Sequence, residues 1–326
     1  MDQQSPFETR LPLEELNHAA FRIRSEINKV IVGQEKVLDM LLTAVIANGH
    51  VLIEGVPGVA KTMLAKLLAK SISTDFSRIQ FTPDLMPSDV TGTTIFNNGT
   101  SAFEFNKGPI FSNLVLIDEI NRAPAKTQAA LFEVMEERQI TTDGITRLLD
   151  SPFLVFATQN PVEHEGTYRL PEAQLDRFLF KIEIDYPSLD QEVGILVNAQ
   201  KRKEKDELAM INPVVTAEEI IKYQEMAKKV LVEDDLLRYI AVIIDKTRSS
   251  SSLFLGGSPR ASLAVLNSAK AYAALEGRDF VTPDDIKQVI IPVLHHRIIL
   301  TPEKEMEGIR PEIVIRQIID SVEVPR

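Results

Sequence analysis

The segment VLIEGVPGVAKTMLAKLLAK, residues 51–70, constrains this chain more than any other stretch. A short apolar run that reads as a β-strand (51–54) passes through Gly55, Pro57, Gly58, Ala60, Lys61 and Thr62 into a stretch with helical periodicity. Strand, glycine-rich turn and helix in that order aim consecutive backbone N–H groups at one point, and the helix N-terminus adds partial positive charge. The combination is a phosphate site. In the pattern G-x-x-x-x-G-K-[ST] the lysine reaches the β and γ phosphates and the next hydroxyl coordinates Mg²⁺, roles that fall on Lys61 and Thr62. Val59 and Met63 complete the expected lining of the turn. One position departs from the pattern, because Ala60 stands where the last glycine is expected. Alanine costs little there if its φ is negative and helical.

The rest of the chain is organised around that turn. Nearly continuous apolar runs occur at HVLIEG (50–55), RIQF (78–81), LVLIDE (114–119), FLVFATQ (153–159) and FLFKIEI (178–184). Strands of that kind are expected where helices cover both faces of a sheet. Helical stretches at 61–72 and 126–138 lie between them, which predicts a parallel α/β layer structure over about residues 35–187. Before it, Leu13, Leu16, Ala20, Ile23 and Ile27 recur at helical spacing. After Pro187 the strand signal fades and helical periodicity takes over, so the expected division is an α/β core with its N-terminal helix at 1–187 and a helical domain at 188–326. A chain of 326 residues is long enough for both.

Two further strand ends carry chemistry. LVLIDEIN delivers Asp118 and Glu119 at the C-terminal end of a buried strand, beside the turn, where ligands of open α/β sheets bind. Asp118 suits Mg²⁺ through water, and Glu119 suits general-base attack by water. FLVFATQNP ends at Asn160, whose side chain can hold the lytic water or touch the γ-phosphate. Arg177 in LPEAQLDRF can face a neighbouring subunit's nucleotide, and Arg260 in LGGSPRASL can clamp the γ-phosphate; for each the plainer alternative is a surface ion pair.

Composition removes other classes. There is no cysteine, hence no disulfide, thiolate metal site or cysteine nucleophile. None of the five histidines has a second ligand at convincing metal-binding spacing, and adjacent His295 and His296 would point apart on a helix. The net charge of −11 disfavours a nucleic-acid partner. No apolar run approaches the roughly 20 residues that span a bilayer, and MDQQSPFETR lacks the features of a signal peptide, which leads to the expectation of a cytoplasmic protein without membrane insertion.

Together with VGQE (32–35), LIDEINRAP, ATQNP, LPEAQLDRF and GGSPRA, these words resemble the AAA+ ATPases from about residue 20 to the terminal VEVP. The alanine before the lysine, NRAPAKTQAALFEVMEERQIT and NPVEHEGTYRLPEAQLDRF are similar to the MoxR branch. The resemblance implies an α/β P-loop core, with a parallel five-stranded sheet between helices, and an all-α lid. It also implies hairpin insertions at 84–109 and 139–152, where NNG (97–99) and DG (143–144) independently signal hairpin turns. Further implications are ATP and Mg²⁺ as cofactors, Val32 and Gly33 near the adenine, Asn160 and Arg260 as sensors, and Arg177 as a finger. Homo-oligomeric, hexameric rings and chaperone-like remodelling of partners that often carry von Willebrand A domains complete the family picture. The competing readings are a nucleotide-gated switch with little turnover, a helicase-type motor and a chelatase-type motor.

Overall fold

A computed structural model describes residues 11–325 apart from Pro57, residues 161–167, residue 169 and residues 203–205. The chain forms two compact units. The larger comprises Ile23–Leu41 and Asn48–Ile221; the other gathers the residues up to Arg22, Leu42–Ala47 and the chain from Lys222 onward.

Among its described residues the larger unit has nine strands: β1 (His50–Gly55), β2 (Phe76–Gln80), β3 (Gly92–Asn97), β4 (Ala102–Lys107), β5 (Leu114–Asp118), β6 (Gln139–Thr142), β7 (Ile145–Leu148), β8 (Leu154–Gln159) and β9 (Phe178–Ile184). Five of them form one sheet in the order β2-β5-β8-β1-β9, all parallel. All of β5 is buried and β8 nearly so, as their unbroken apolar sequence requires. Edge strand β2 differs: Ser77, Arg78 and Gln80 interrupt its apolar pattern, because it has one strand neighbour and a wetter face, and it runs from Phe76 rather than over 78–81. Phe132 and Phe178 meet edge to face at 5.9 Å in the core, which also buries Phe81 and Phe153. Each such side chain contributes about 1.5–3 kcal/mol of burial free energy.

His50, at the start of β1, is buried in this core. Its Nδ1 accepts from the Val155 amide at 2.9 Å, so its Nε2 carries the proton and donates to the Met135 carbonyl at 3.1 Å. Burial, reinforced by the nearby Arg138 charge, lowers its pKa to about 3.

Both hairpins expected from the turn signals are present. β6 and β7 are joined by Asp143 and Gly144, with φ of 55° and 74°, the two left-handed residues that a tight hairpin turn requires. β3 and β4 follow directly on the single helical turn Pro87–Thr91. The Arg147 guanidinium of the second hairpin lies 3.9 Å from the Phe105 ring centroid of the first.

The expected division at 187/188 falls inside the larger unit. The helix Leu189–Arg202 remains tied to the Gly33 loop through Gln191, and Val214 donates its amide to the Ser71 carbonyl at 2.8 Å. The described residues of the other unit are mainly helical, with a two-stranded ribbon, β10 (Leu253–Leu255) with β11 (Ile299–Leu300). Its helix Pro283–Leu294 starts from a capping box of Thr282 and Asp285, and buried Asp285 also takes both terminal nitrogens of Arg278, at 2.6 and 2.5 Å. His295 pairs with Glu312 at 3.0 Å inside this unit.

Candidate functional site

The C-terminal ends of β1, β5 and β8 lie side by side in the sheet, so the turn after β1, the acids after β5 and Asn160 after β8 open onto one crevice. A cavity of about 400 Å³ occupies it, lined by Gly58–Met63, Lys66, Arg78, Gln80, Asp118, Glu119, Thr158 and Asn160. Lys61 opens the helix Lys61–Ser71; its Nζ donates to the Gly55 carbonyl and lies 3.5 Å from that of Gln159. The next residue, Thr62, places its Oγ1 3.4 Å from Asp118 Oδ1, which also receives Thr158 Oγ1 at 3.2 Å. Buried Asp118 is balanced by Arg78, whose Nε reaches Oδ2 at 2.5 Å.

Glu119 adopts a left-handed backbone, φ 56° and ψ 54°, which ends the strand and turns its side chain out of the strand's alternation. Its amide donates to Thr158 Oγ1 at 3.1 Å, while its Oε2 accepts from Gln80 at 2.8 Å and pairs with Arg122 at 3.1 Å. The carboxylate is thus oriented by two neighbours.

Ala60 corrects an expectation. Its φ is 60° and ψ 22°, in the left-handed region and not in the helical one that would make alanine inexpensive. The methyl crowds its own backbone by about 1–2 kcal/mol relative to a right-handed residue.

A second cavity, about 390 Å³, shares Gly58, Val59, Ala60 and Met63 with the first and is otherwise walled by Val30–Gln34, Tyr186, Pro187, Gln191 and neighbours. Val32 and Gly33 therefore lie beside the phosphate turn. Gly33 has φ 77°, a left-handed backbone that favours glycine, and a Cβ there would fall 2.3 Å from the Gln191 side chain and push it aside. Gln34 ties this loop to the turn by donating to the Val59 carbonyl at 3.0 Å.

Arg177 and Arg260 are not among the residues that line this cavity, and Arg177 was expected to face a neighbouring copy's nucleotide instead. Arg177 pairs with Glu136 at 2.9 Å and lines a separate pocket with Gln174 and Phe132. Arg260 is exposed at the start of the helix Pro259–Leu275, in the other unit. Pro57 lies outside the described residues. Conversely, Arg78, Gln80, Thr158 and Gln191 belong to these cavities and escaped the sequence reading. For Arg78 and Gln80 a signal existed: two polar residues at i and i+2 on a strand share one face.

The donor set suits a triphosphate with Mg²⁺. Lys61, Lys66 and Arg78 supply positive charge, and the helix N-terminus at Lys61 adds to it. Thr62 and Asp118 offer hard oxygens, and among the described residues no thiolate or imidazole lines the cavity; its one sulfur, the Met63 thioether, is a weak ligand for a hard dication.

Comparison with known proteins agrees with this geometry. Residues 50–180 match the family described as "ATPase family associated with various cellular activities (AAA)", and residues 245–318 match the AAA lid domain. Chaperone MoxR1 of Mycobacterium tuberculosis is 42% identical over 95% of this chain and 83% of its own length. Protein MoxR of Paracoccus denitrificans is 31% identical over 93% of this chain and 95% of its own. YeaC, an uncharacterized Bacillus subtilis protein, is 49% identical over 96% and 97%. The crystal structure of an ATPase candidate from Cytophaga hutchinsonii superposes with a TM-score of 0.89 at 41% identity, covering 97% of both chains.

Proposed function

The chain belongs to the MoxR family of AAA+ ATPases, and from that premise we propose that it hydrolyses ATP with Mg²⁺ and couples the cycle to remodelling or activating a partner protein. One observation carries the reading: Lys61, Thr62, Asp118, Glu119 and Asn160, drawn from three separate strand ends, line one cavity.

In this reading Lys61 offsets the charge of the β and γ phosphates, with Gly55, Gly58, Val59, Ala60 and Met63 in the loop around them. Thr62 and Asp118 hold Mg²⁺, which neutralises phosphate charge when bound. Glu119 accepts a proton from the attacking water, and Asn160 holds that water in line. Val32 and Gly33 flank the base in the adjoining cavity. Arg177 reaches the nucleotide of a neighbouring copy in a homo-oligomer, most simply a hexameric ring, and Arg260 contributes to γ-phosphate sensing. The α/β core and the helical lid that follows it in the chain act as the moving parts. The client, of the kind that carries a von Willebrand A domain, and a cytoplasmic setting belong to the same proposal. Among the described residues no helix is long and apolar enough to cross a membrane.

A second reading, a nucleotide-gated switch with little turnover, draws on Gln80 and Arg122, which occupy the Glu119 carboxylate. Glu119→Gln separates the two. Under the ATPase reading it keeps nucleotide affinity and loses turnover by about 10²–10⁴-fold, the usual contribution of a general base. Calorimetric ATP binding beside phosphate release, at several protein concentrations, measures both; unchanged turnover removes Glu119 as the base. Arg177→Ala should abolish turnover only where the protein is assembled.

A further inference from the structure

Of the basic side chains that line the phosphate cavity, Lys66 and Arg78 have no task in the cycle above, and Arg78 is the one bonded to a proposed metal ligand. Arg78 projects from edge strand β2, and its Nε sits 2.5 Å from Asp118 Oδ2. The arginine side chain is 47% exposed and that of Asp118 only 7%, so the carboxylate is the buried partner and the guanidinium closes it off from solvent. The two carboxylate oxygens are divided between different neighbours. Oδ1 faces Thr62 Oγ1 at 3.4 Å and Thr158 Oγ1 at 3.2 Å; Oδ2 is taken by Arg78.

Resting on the reading of Thr62 and Asp118 as the Mg²⁺ side chains, we propose that Arg78 is a positioning residue that serves as the internal counter-ion of Asp118. It holds divalent cations out of the nucleotide-free site, so that metal enters only with the triphosphate. A buried carboxylate facing a hydroxyl would attract a dication by itself. A guanidinium bonded to its second oxygen offsets that charge and repels an incoming dication at contact distance. Lys61, Lys66 and Arg78 face Asp118 and Glu119 across the cavity, a lining with more positive than negative side chains that favours a polyphosphate over a bare metal ion. The charges brought by a triphosphate reverse that balance.

The test uses Mn²⁺ as the probe and electron paramagnetic resonance of free Mn²⁺ as the readout, on the full chain. Without nucleotide, Arg78→Gln and Arg78→Met should bind Mn²⁺ at least about tenfold more tightly than the wild type, because one positive charge at contact distance has gone. Arg78→Lys, which keeps the charge, should stay near the wild type. With ATP present, all should take up Mn²⁺ together with nucleotide. The two uncharged variants guard against one of them failing to fold. Nucleotide-free affinities unchanged in both, or raised equally in Arg78→Lys, overturn the counter-ion role while leaving the metal site itself intact. Asp118→Asn tests the underlying reading separately: if it binds Mn²⁺ with ATP as tightly as the wild type, Asp118 is not the metal carboxylate and the task of Arg78 falls with it.

Discussion

The interior strands and edge strand β2 contribute to the same cavity in different ways. Apart from buried His50 at the start of β1, β1, β5 and β8 are apolar runs whose polar residues sit at or just beyond their C-terminal ends: the phosphate turn, Asp118 with Glu119, and Asn160. β2 places polar residues within its length, and two of them, Arg78 and Gln80, reach across to the acids delivered by β5. Parallel pairing puts Gln80 level with Asp118, so the edge strand stands where it can restrain what the interior strands present. The proposed reacting groups thus come from buried strand ends, and their restraints come from the exposed edge.

That contrast can be broken experimentally. The largest effect is expected at the interior. Lys61→Ala should weaken ATP binding by about 100-fold or more, measured by calorimetry, because a charge-assisted contact in a partly enclosed site is lost. Next comes the burial of His50 on β1. The unfolded chain takes up its proton below pH 6.5, whereas the folded protein resists protonation until about pH 3. Stability is therefore complete above pH 6.5 and falls with pH toward 3, at about 1.4 kcal/mol per unit, or about 2 kcal/mol by pH 5. Denaturant unfolding at pH 7 and pH 5, with and without His50→Gln, isolates this share; an equal acid sensitivity in the variant would assign it elsewhere.

The edge should give a smaller and opposite result. Gln80→Ala frees the Glu119 carboxylate from one of its two partners, and basal turnover should rise roughly three- to tenfold at unchanged ATP affinity, the worth of one partly exposed hydrogen bond to a charged group. A fall in turnover would mean that Gln80 orients Glu119 for the reaction. The smallest change is at the turn itself. Ala60→Gly removes a methyl from a left-handed residue, with a net gain of about 0.5–1 kcal/mol after the greater freedom of glycine in the unfolded chain is counted. Thermal unfolding would register it as a modest rise in Tm.

The sheet and its helices were legible because their signals are local. Helix Ala125–Glu137 and helix Lys61–Ser71 lie within a residue of the expected 126–138 and 61–72. The Asp143-Gly144 turn is a short-range demand for left-handed backbone, and it is met. The conformation of Ala60 was misjudged because φ at a loop residue depends on where the loop must go, not on the residue occupying it. Gln191 escaped notice for a related reason, since 158 residues separate it from the Gly33 carbonyl that it reaches.

From the order of its residues alone, this chain determined a phosphate-binding turn between strand and helix, two acids at one strand end, an asparagine at another, and a helical C-terminal half. Each follows from spacing along the backbone. Tertiary structure decided the neighbours: β5 beside β2 brings Arg78 onto Asp118 and Gln80 onto Glu119, and the packing of the helix Leu189–Arg202 keeps residues past 187 with the larger unit. Strand order and helix docking are set by burial summed over the whole core, and no single segment contains that information.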